Sequence, residues 1–249
     1  MIVTGIGQCC LDYLGLFNGY PEMNTKAEAL QWEEQGGGPV ATALVALSRL
    51  GISTRFHGVI GDDNAGERIK HSLVLEGVNT EGLLERKNAF SQRAFIAIEK
   101  DSGKRTIFWK RPSGMDLKPE ELNEIFLENT SFLLLDGLMK DVSMFTAQKA
   151  RDLKIPVMLD AGRGREGMLD IAKLCDYVVA SEEFARDLGW KGNLDTLKDT
   201  AKQINARVVS ITLGDMGSVT FLKNEVINIP SFKVEVVDTT GAGDVFHGG

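Results

Sequence analysis

From about residue 119 onward the chain alternates short, continuously apolar runs with amphipathic or small-residue segments, and few folds accept that pattern. Residues 131–135, 155–159, 177–180 and 208–213 read as strands, and 119–127, 142–153, 168–174, 182–188 and 194–204 as helices. Strands that are apolar on both sides need cover on both faces, and crossover helices supply it. The expected class is therefore α/β, with a mostly parallel central sheet and helices on both faces. In such sheets ligands gather beyond the carboxyl ends of the strands. Asp12, Asp136, Asp160, Ser181, Gly214 and Asp244 are each expected just past a strand end.

The first half adds other elements. Residues 2–6 are a short apolar strand closed by Gly7. Residues 13–35 mix aromatics, Pro21 and charges with partial alternation, which suits exposed strands lying over something else. Gly36-Gly37-Gly38-Pro39 breaks the chain and opens a small-residue helix over 40–50, closed by Gly51. A strand at 54–60 follows, then a helix over 65–76 with Asp62 or Asp63 as N-cap. Residues 92–99 alternate as a strand, and 104–110 form its hairpin partner through Asp101-Ser102-Gly103. Residues 218–229 read as a hairpin about Lys223-Asn224.

Bulk properties narrow the classes of partner. The 249 residues carry a net charge of −7 with no basic cluster, which argues against nucleic acid and anionic membrane surfaces. No apolar stretch approaches a membrane span, and the N-terminus lacks a charged, then apolar, leader pattern. Three cysteines without CxxC spacing and three histidines make a structural zinc site a poor expectation, and the expected compartment is the reducing cytoplasm.

The chemistry concentrates at the C-terminal stretch. A β-branched run at 234–237 reads as a strand, Gly241-Ala242-Gly243 as a turn, and Asp244-Val245-Phe246 as the start of a helix. The first N–H groups of a helix are unpaired and lie at its positive end, so small residues there admit an anion. A carboxylate beside such a turn repels the ligand unless the chemistry needs a base; the bland alternative is a strand–turn–helix junction with an acidic cap. Gly162-x-Gly164-x-x-Gly167 matches a dinucleotide fingerprint in spacing. It is read as incidental, with Arg163 and Arg165 in the variable positions and Asp160 between strand and glycines. No P-loop pattern occurs.

Taken in order, four blocks resemble the ribokinase-like (PfkB-type) carbohydrate kinase family. They are Gly37-Gly38-Pro39-Val40-Ala41-Thr42-Ala43, Gly58-Val59-Ile60-Gly61-Asp62-Asp63-Asn64-Ala65-Gly66, Thr212-Leu213-Gly214-Asp215-Met216-Gly217 and Asp238-Thr239-Thr240-Gly241-Ala242-Gly243-Asp244-Val245-Phe246. The motif wording is nearest to sulfofructose kinase-like members. The resemblance implies an ATP-dependent kinase acting on a hydroxyl of a small sugar, a small β lid built from about 13–35 and 89–111, and a homodimer through that lid. It implies Asp244 as general base and the N–H groups of Gly241, Ala242 and Gly243 as the hole for the transferring phosphoryl group. Asp12, Gly37, Gly38 and Thr42 would hold the sugar, with Lys26, Lys110 and Arg111 available to an anionic group on it. Ser181, Thr212, Gly214 and Gly217 would hold the nucleotide, whose phosphates Mg²⁺ would bridge with Glu183 nearby.

The chain departs from the family's wording at three points. Thr42 stands where the family usually has Asn, and Ser181-Glu182-Glu183-Phe184 where it has Asn-x-x-Glu. The chain stops at Gly249 where family members continue, which implies a C-terminally truncated kinase domain. A nucleoside kinase, or a non-catalytic ligand-binding protein of the same fold, is the alternative reading.

Overall fold

A computed structural model describes residues 1–249. In chain order it contains β1 (Ile2–Ile6), β2 (Cys10–Phe17), β3 (Gln31–Gly37), α1 (Pro39–Arg49), β4 (Ser53–Gly61), α2 (Asn64–Leu75) and β5 (Val78–Arg86). These are followed by β6 (Arg93–Glu99), β7 (Arg105–Lys110), β8 (Thr130–Leu135), α3 (Lys140–Asp152), β9 (Val157–Ala161), α4 (Met168–Ala172) and β10 (Tyr177–Ser181). The last group is α5 (Glu182–Asp187), α6 (Leu197–Ile204), β11 (Val208–Thr212), β12 (Ser218–Phe221), β13 (Val226–Ile229) and α7 (Ala242–Gly248). No helix is long and apolar enough to cross a membrane.

Nine strands form one sheet in the order β13-β12-β11-β10-β9-β8-β1-β4-β5. The strands from β5 through β11 pair in parallel, and β12 and β13 close one edge as an antiparallel hairpin. From β1 the chain builds outward through β4 and β5 on one side and through β8 to β11 on the other. The direction of winding therefore reverses between β1 and β8, and a crevice opens at their carboxyl ends. Helix packing is close there: a Cβ on Gly5 of β1 would lie 2.5 Å from Val40 of α1. Helix α2 begins at Asp63, whose side chain accepts from the Gly66 N–H.

The second sheet has the order β3-β2-β6-β7 and a thin core of its own, Leu14, Ala94, Ile96 and Ile98. Its strands fall at 10–17, 31–37, 93–99 and 105–110; β3 and β7 are exposed, but β2, where exposed strands were expected, is mostly buried, as is β6.

Three expectations for single elements are corrected. Residues 119–127 were expected to be a helix, but Pro119–Glu121 forms a 3-10 segment and the chain from 124 to 129 makes separate turns rather than a helix. The Glu121 carboxylate caps the Lys118 N–H and pairs with Arg86, and Leu122 leaves in extended conformation. Residues 234–237 form no strand: they run exposed and pair with none of the sheet edges, so their β-branched character finds no ladder. Strand β5 has no counterpart in the sequence reading, because an edge strand carrying Asn79, Glu81 and Gly82 lacks the apolar run that marks an interior one. Two of the acids also sit inside strands rather than past them: Asp12 is the third residue of β2 and Asp160 the fourth of β9.

Candidate active site

The crevice between β1 and β8 has an acidic floor. Asp136 directly follows β8 and accepts from the Gln8 N–H at 2.7 Å and the Leu138 N–H at 2.9 Å. Gly7, one residue past β1, makes room for it: a Cβ there would lie 2.3 Å from an Asp136 carboxylate oxygen. Burial pushes the Asp136 carboxyl up to about 7, against the opposing pull of its two backbone bonds. Burial also holds the Asp160 carboxyl well above the usual range, with the Asp244 charge adding to it.

Asp12 reaches the crevice from the small sheet. The Cys10 thiol donates to its Oδ1 at 2.9 Å, and a Cβ on Gly37 would lie 2.1 Å from its Oδ2. Glycine at 37 is thus a condition for the carboxylate to sit where it does. Burial raises the Asp12 carboxyl, and the thiol bond partly offsets this. Gly38 starts α1 at φ +107°, a conformation that disfavours any side chain, with its Cα face against the Gln8 carbonyl.

Helix α7 brings the other half. Thr240 folds back on Asp238, its N–H and hydroxyl both at 2.8 Å from Oδ1. Gly241 takes φ +74°, and its carbonyl accepts from the Val245 N–H at 2.8 Å. The Ala242 N–H makes one long bond of 3.3 Å to Thr239, while those of Gly243 and Asp244 meet no acceptor within the protein. The helix lies tightly on α1, since a Cβ on Gly248 would come within 2.6 Å of the Ala43 carbonyl. Asp244 is half-buried; burial raises its carboxyl, His247 and Arg105 pull it down, and Asp12 adds to the rise.

Asp12, Gly37, Gly38, Thr42, Gly241 and Asp244 line a single cavity of about 430 Å³, with the Arg49–Glu76 ion pair at one side. Ala242 and Gly243 are exposed and are not among the lining residues. Lys26, Lys110 and Arg111 are not among the lining residues. Lys26 sits in the exposed loop between β2 and β3, and Arg111 stacks on Trp109 at 4.9 Å. Strand alternation puts Lys110 on the same face as Phe108, opposite that of Arg105 and Trp109.

The remaining expected residues gather at the neighbouring strand ends. Ser181 closes β10 and caps α5, accepting from the Phe184 N–H at 3.0 Å. It is the register partner of Thr212 at the end of β11. Gly214 and Gly217 turn the chain into β12 at φ +59° and +90°. Glu182 is taken by Arg186, which leaves Glu183 as the exposed, unpaired carboxylate of the first turn of α5. Nowhere do three or more His, Cys, Asp or Glu side chains assemble as a metal cage. The Gly162–Gly167 turn is no phosphate cradle, because the Asp187 carboxylate already occupies the Gly164 N–H.

Two residues near Asp244 escaped the sequence reading. Arg105 of β7 donates to the Thr239 hydroxyl, and His247 of α7 meets Asp160 at 3.3 Å. The first shares a sheet face with Asp12 through a β2–β6–β7 register that a single sequence does not disclose. The second is one turn beyond Asp244, a spacing that was visible, but its partner lies 87 positions away in β9.

Comparison with known proteins agrees with this geometry. The chain is 27% identical over 266 residues to fructokinase-2 of Zea mays, covering 99% of this chain and 78% of that protein. Its fold superimposes on the ribokinase of Giardia lamblia with a TM-score of 0.87 at 18% identity, covering 99% of this chain and 80% of that one. It superimposes on the ribokinase of Thermotoga maritima with a TM-score of 0.81 at 25% identity, covering 99% and 83%. Residues 3–249 match the pfkB family carbohydrate kinase description. With the first and last of the four sequence blocks lining one cavity, the chain belongs to the pfkB family of carbohydrate kinases, phosphotransferases that act on sugars.

Proposed function

We propose that this chain transfers the terminal phosphoryl group of ATP to a primary hydroxyl of a small sugar, with Asp244 as general base. One observation carries the reading: Asp12, Asp244 and the Gly241 turn open into the same 430 Å³ cavity, large enough for a monosaccharide. Asp12 and the backbone at Gly37 and Gly38 hold the sugar's other hydroxyls and turn one toward Asp244. Asp244 accepts that hydroxyl's proton as its oxygen attacks the phosphorus. The N–H groups of the Gly241-Ala242-Gly243 turn face the phosphoryl oxygens and balance their charge; those of Gly243 and its neighbour Asp244 have no internal acceptor. Thr42 presents its Cγ2 methyl to the turn, 3.6 Å from where a Cβ on Gly241 would sit. The small sheet that carries Asp12 serves as the lid over the sugar.

The nucleotide's place in this reading is the end of β10 and β11, with Ser181, Thr212, Gly214 and Gly217 around it. Glu183, the unpaired carboxylate in the first turn of α5, would hold a Mg²⁺ accompanying the nucleotide. When bound, that ion neutralises charge on the transferring group. The outer face of the lid, where Trp32, Phe95 and Phe108 stack at 5.4 and 6.2 Å, supports a homodimer.

The test is ADP release from Mg·ATP with a panel of ketoses, aldoses and nucleosides. Asp244→Asn is expected to lower kcat about a thousandfold with little change in sugar KM. An Asn variant with undiminished turnover on every accepted sugar would show that Asp244 is not the base.

A further inference from the structure

We propose that His247 is a positioning residue for this reaction, clamping α7 onto the end of β9 through Asp160 and so fixing where Asp244 stands over the cavity. The inference rests on the reading of Asp244 as base and adds a second residue to it.

Helix α7 touches the body of the protein on two sides. Gly248 lays it against α1. On the other side His247 Nε2 lies 3.3 Å from Asp160 Oδ1 and 3.3 Å from the Val179 carbonyl, while Nδ1 meets the Gly243 carbonyl one turn back. The two side chains are 6% and 9% exposed, so this contact is inside the protein and not a surface pair. Gly243 belongs to the turn that faces the phosphoryl group. One imidazole therefore joins three things: the carbonyl of that turn, the sheet at β9 and β10, and the helix that bears Asp244.

The proton count of the contact is informative. Both ring nitrogens face only acceptors, namely Gly243 O on one side and Asp160 Oδ1 with Val179 O on the other. A neutral imidazole donates from one nitrogen only. Satisfying both ends takes one proton more than a neutral ring and an ionised carboxylate bring, held on the ring or on Asp160. Burial and the Asp244 charge favour its retention, since both raise the Asp160 carboxyl. The charged groups facing Asp244 are His247 on its own helix, Arg105 on β7 and Asp12 on β2; Cys10 on β2 also senses its charge, and Asp136 after β8 faces both Asp160 and Asp244. Within this set His247 and Arg105 are the groups that keep Asp244 ionised, which a base must be.

The experiment measures kcat, sugar KM and the pH dependence of kcat/KM for wild type, His247→Ala, His247→Gln, Asp160→Asn and Asp244→Asn. The assay uses the sugar turned over fastest with Mg·ATP, with thermal melts alongside. His247→Ala is expected to lower kcat about tenfold at a sugar KM within about twofold of wild type. Its acid limb should move to higher pH, because the variant lacks one of the two groups that hold the Asp244 carboxyl down. His247→Gln keeps a donor toward Asp160 without the imidazole; it should recover most of the rate while its acid limb stays displaced. Should His247→Ala fail to fold, His247→Gln and Asp160→Asn read the same displacement. A folded variant with wild-type kcat and an unmoved acid limb overturns the proposal, as does a loss confined to KM. If Asp244→Asn retains full turnover, the base assignment itself falls; if Asp244→Asn is inactive while His247→Ala is indistinguishable from wild type, only the role of His247 does.

Discussion

Glycine 37 shows how one missing methyl group can set a site. Alanine there would place its Cβ 2.1 Å from Asp12 Oδ2 and 3.0 Å from Cys10 Sγ, so the carboxylate or the β2–β3 pairing must yield. We expect Gly37→Ala to raise the sugar KM about tenfold or more, roughly 1.4 kcal/mol of binding, measured in steady-state assays against the same sugar. His57 makes a different residue-scale prediction. It is 4% exposed, its Nε2 has no hydrogen-bond partner, and its ring stands edge-on to Phe126. Burial, aided by Arg55, lowers its pKa from 6.5 to about 4. The folded state thus binds a proton less readily than the unfolded one, and this site's contribution falls as pH drops from 6.5 toward 4. Over that interval the wild type should lose about 3 kcal/mol relative to His57→Leu in denaturant titrations at pH 7 and pH 4. Parallel losses in the two proteins would exclude His57 as the titrating group.

At the level of elements, Asp63 links a helix to the small sheet. Its carboxylate caps α2 through the Gly66 N–H at 3.0 Å, takes the Ser91 hydroxyl at 2.7 Å and pairs with Arg93 of β6 at 2.5 Å. An ordinary cap is worth about 1 kcal/mol, but here a half-buried arginine and a buried serine would lose their partner as well. Asp63→Ala should cost about 2–3 kcal/mol, read as a lowered denaturation midpoint, and should loosen the lid before the nine-stranded sheet. Hydrogen exchange would show this as earlier opening of β6 and β7 than of β8 and β9. Uniform exposure of both sheets would show that the lid does not open independently.

For the molecule as a whole, the lid's outer face is the place to look for association. Trp32 and Phe108 are 58% and 52% exposed, yet they stack with Phe95 in one row across the sheet. An apolar row of that kind on a thin sheet is stabilised when a second copy covers it. Light scattering should give twice the chain mass for the wild type and a single chain mass for the double variant Trp32→Glu, Phe108→Glu. A wild type that stays monomeric at high concentration would remove the lid interface.

The amino-acid sequence determined the layer architecture, because continuous apolar strands and small-residue helices leave only a covered, mostly parallel sheet. It also determined the candidate base and turn, since glycines and an acid at fixed spacing constrain their own backbone. Where local propensity met no partner the reading failed: 234–237 has the composition of a strand but joins no edge, and 119–127 that of a helix whose Glu121 is drawn off by Arg86. Only the tertiary structure decided that Asp12 lies within a strand yet faces the same cavity as Asp244, and that Lys110 lies on the other face. It alone brought Arg105 and the Asp160–His247 pair to Asp244. Those contacts join residues 84 to 232 positions apart through strand order and register, and such pairings are chosen by packing across the whole molecule rather than by the residues on either side.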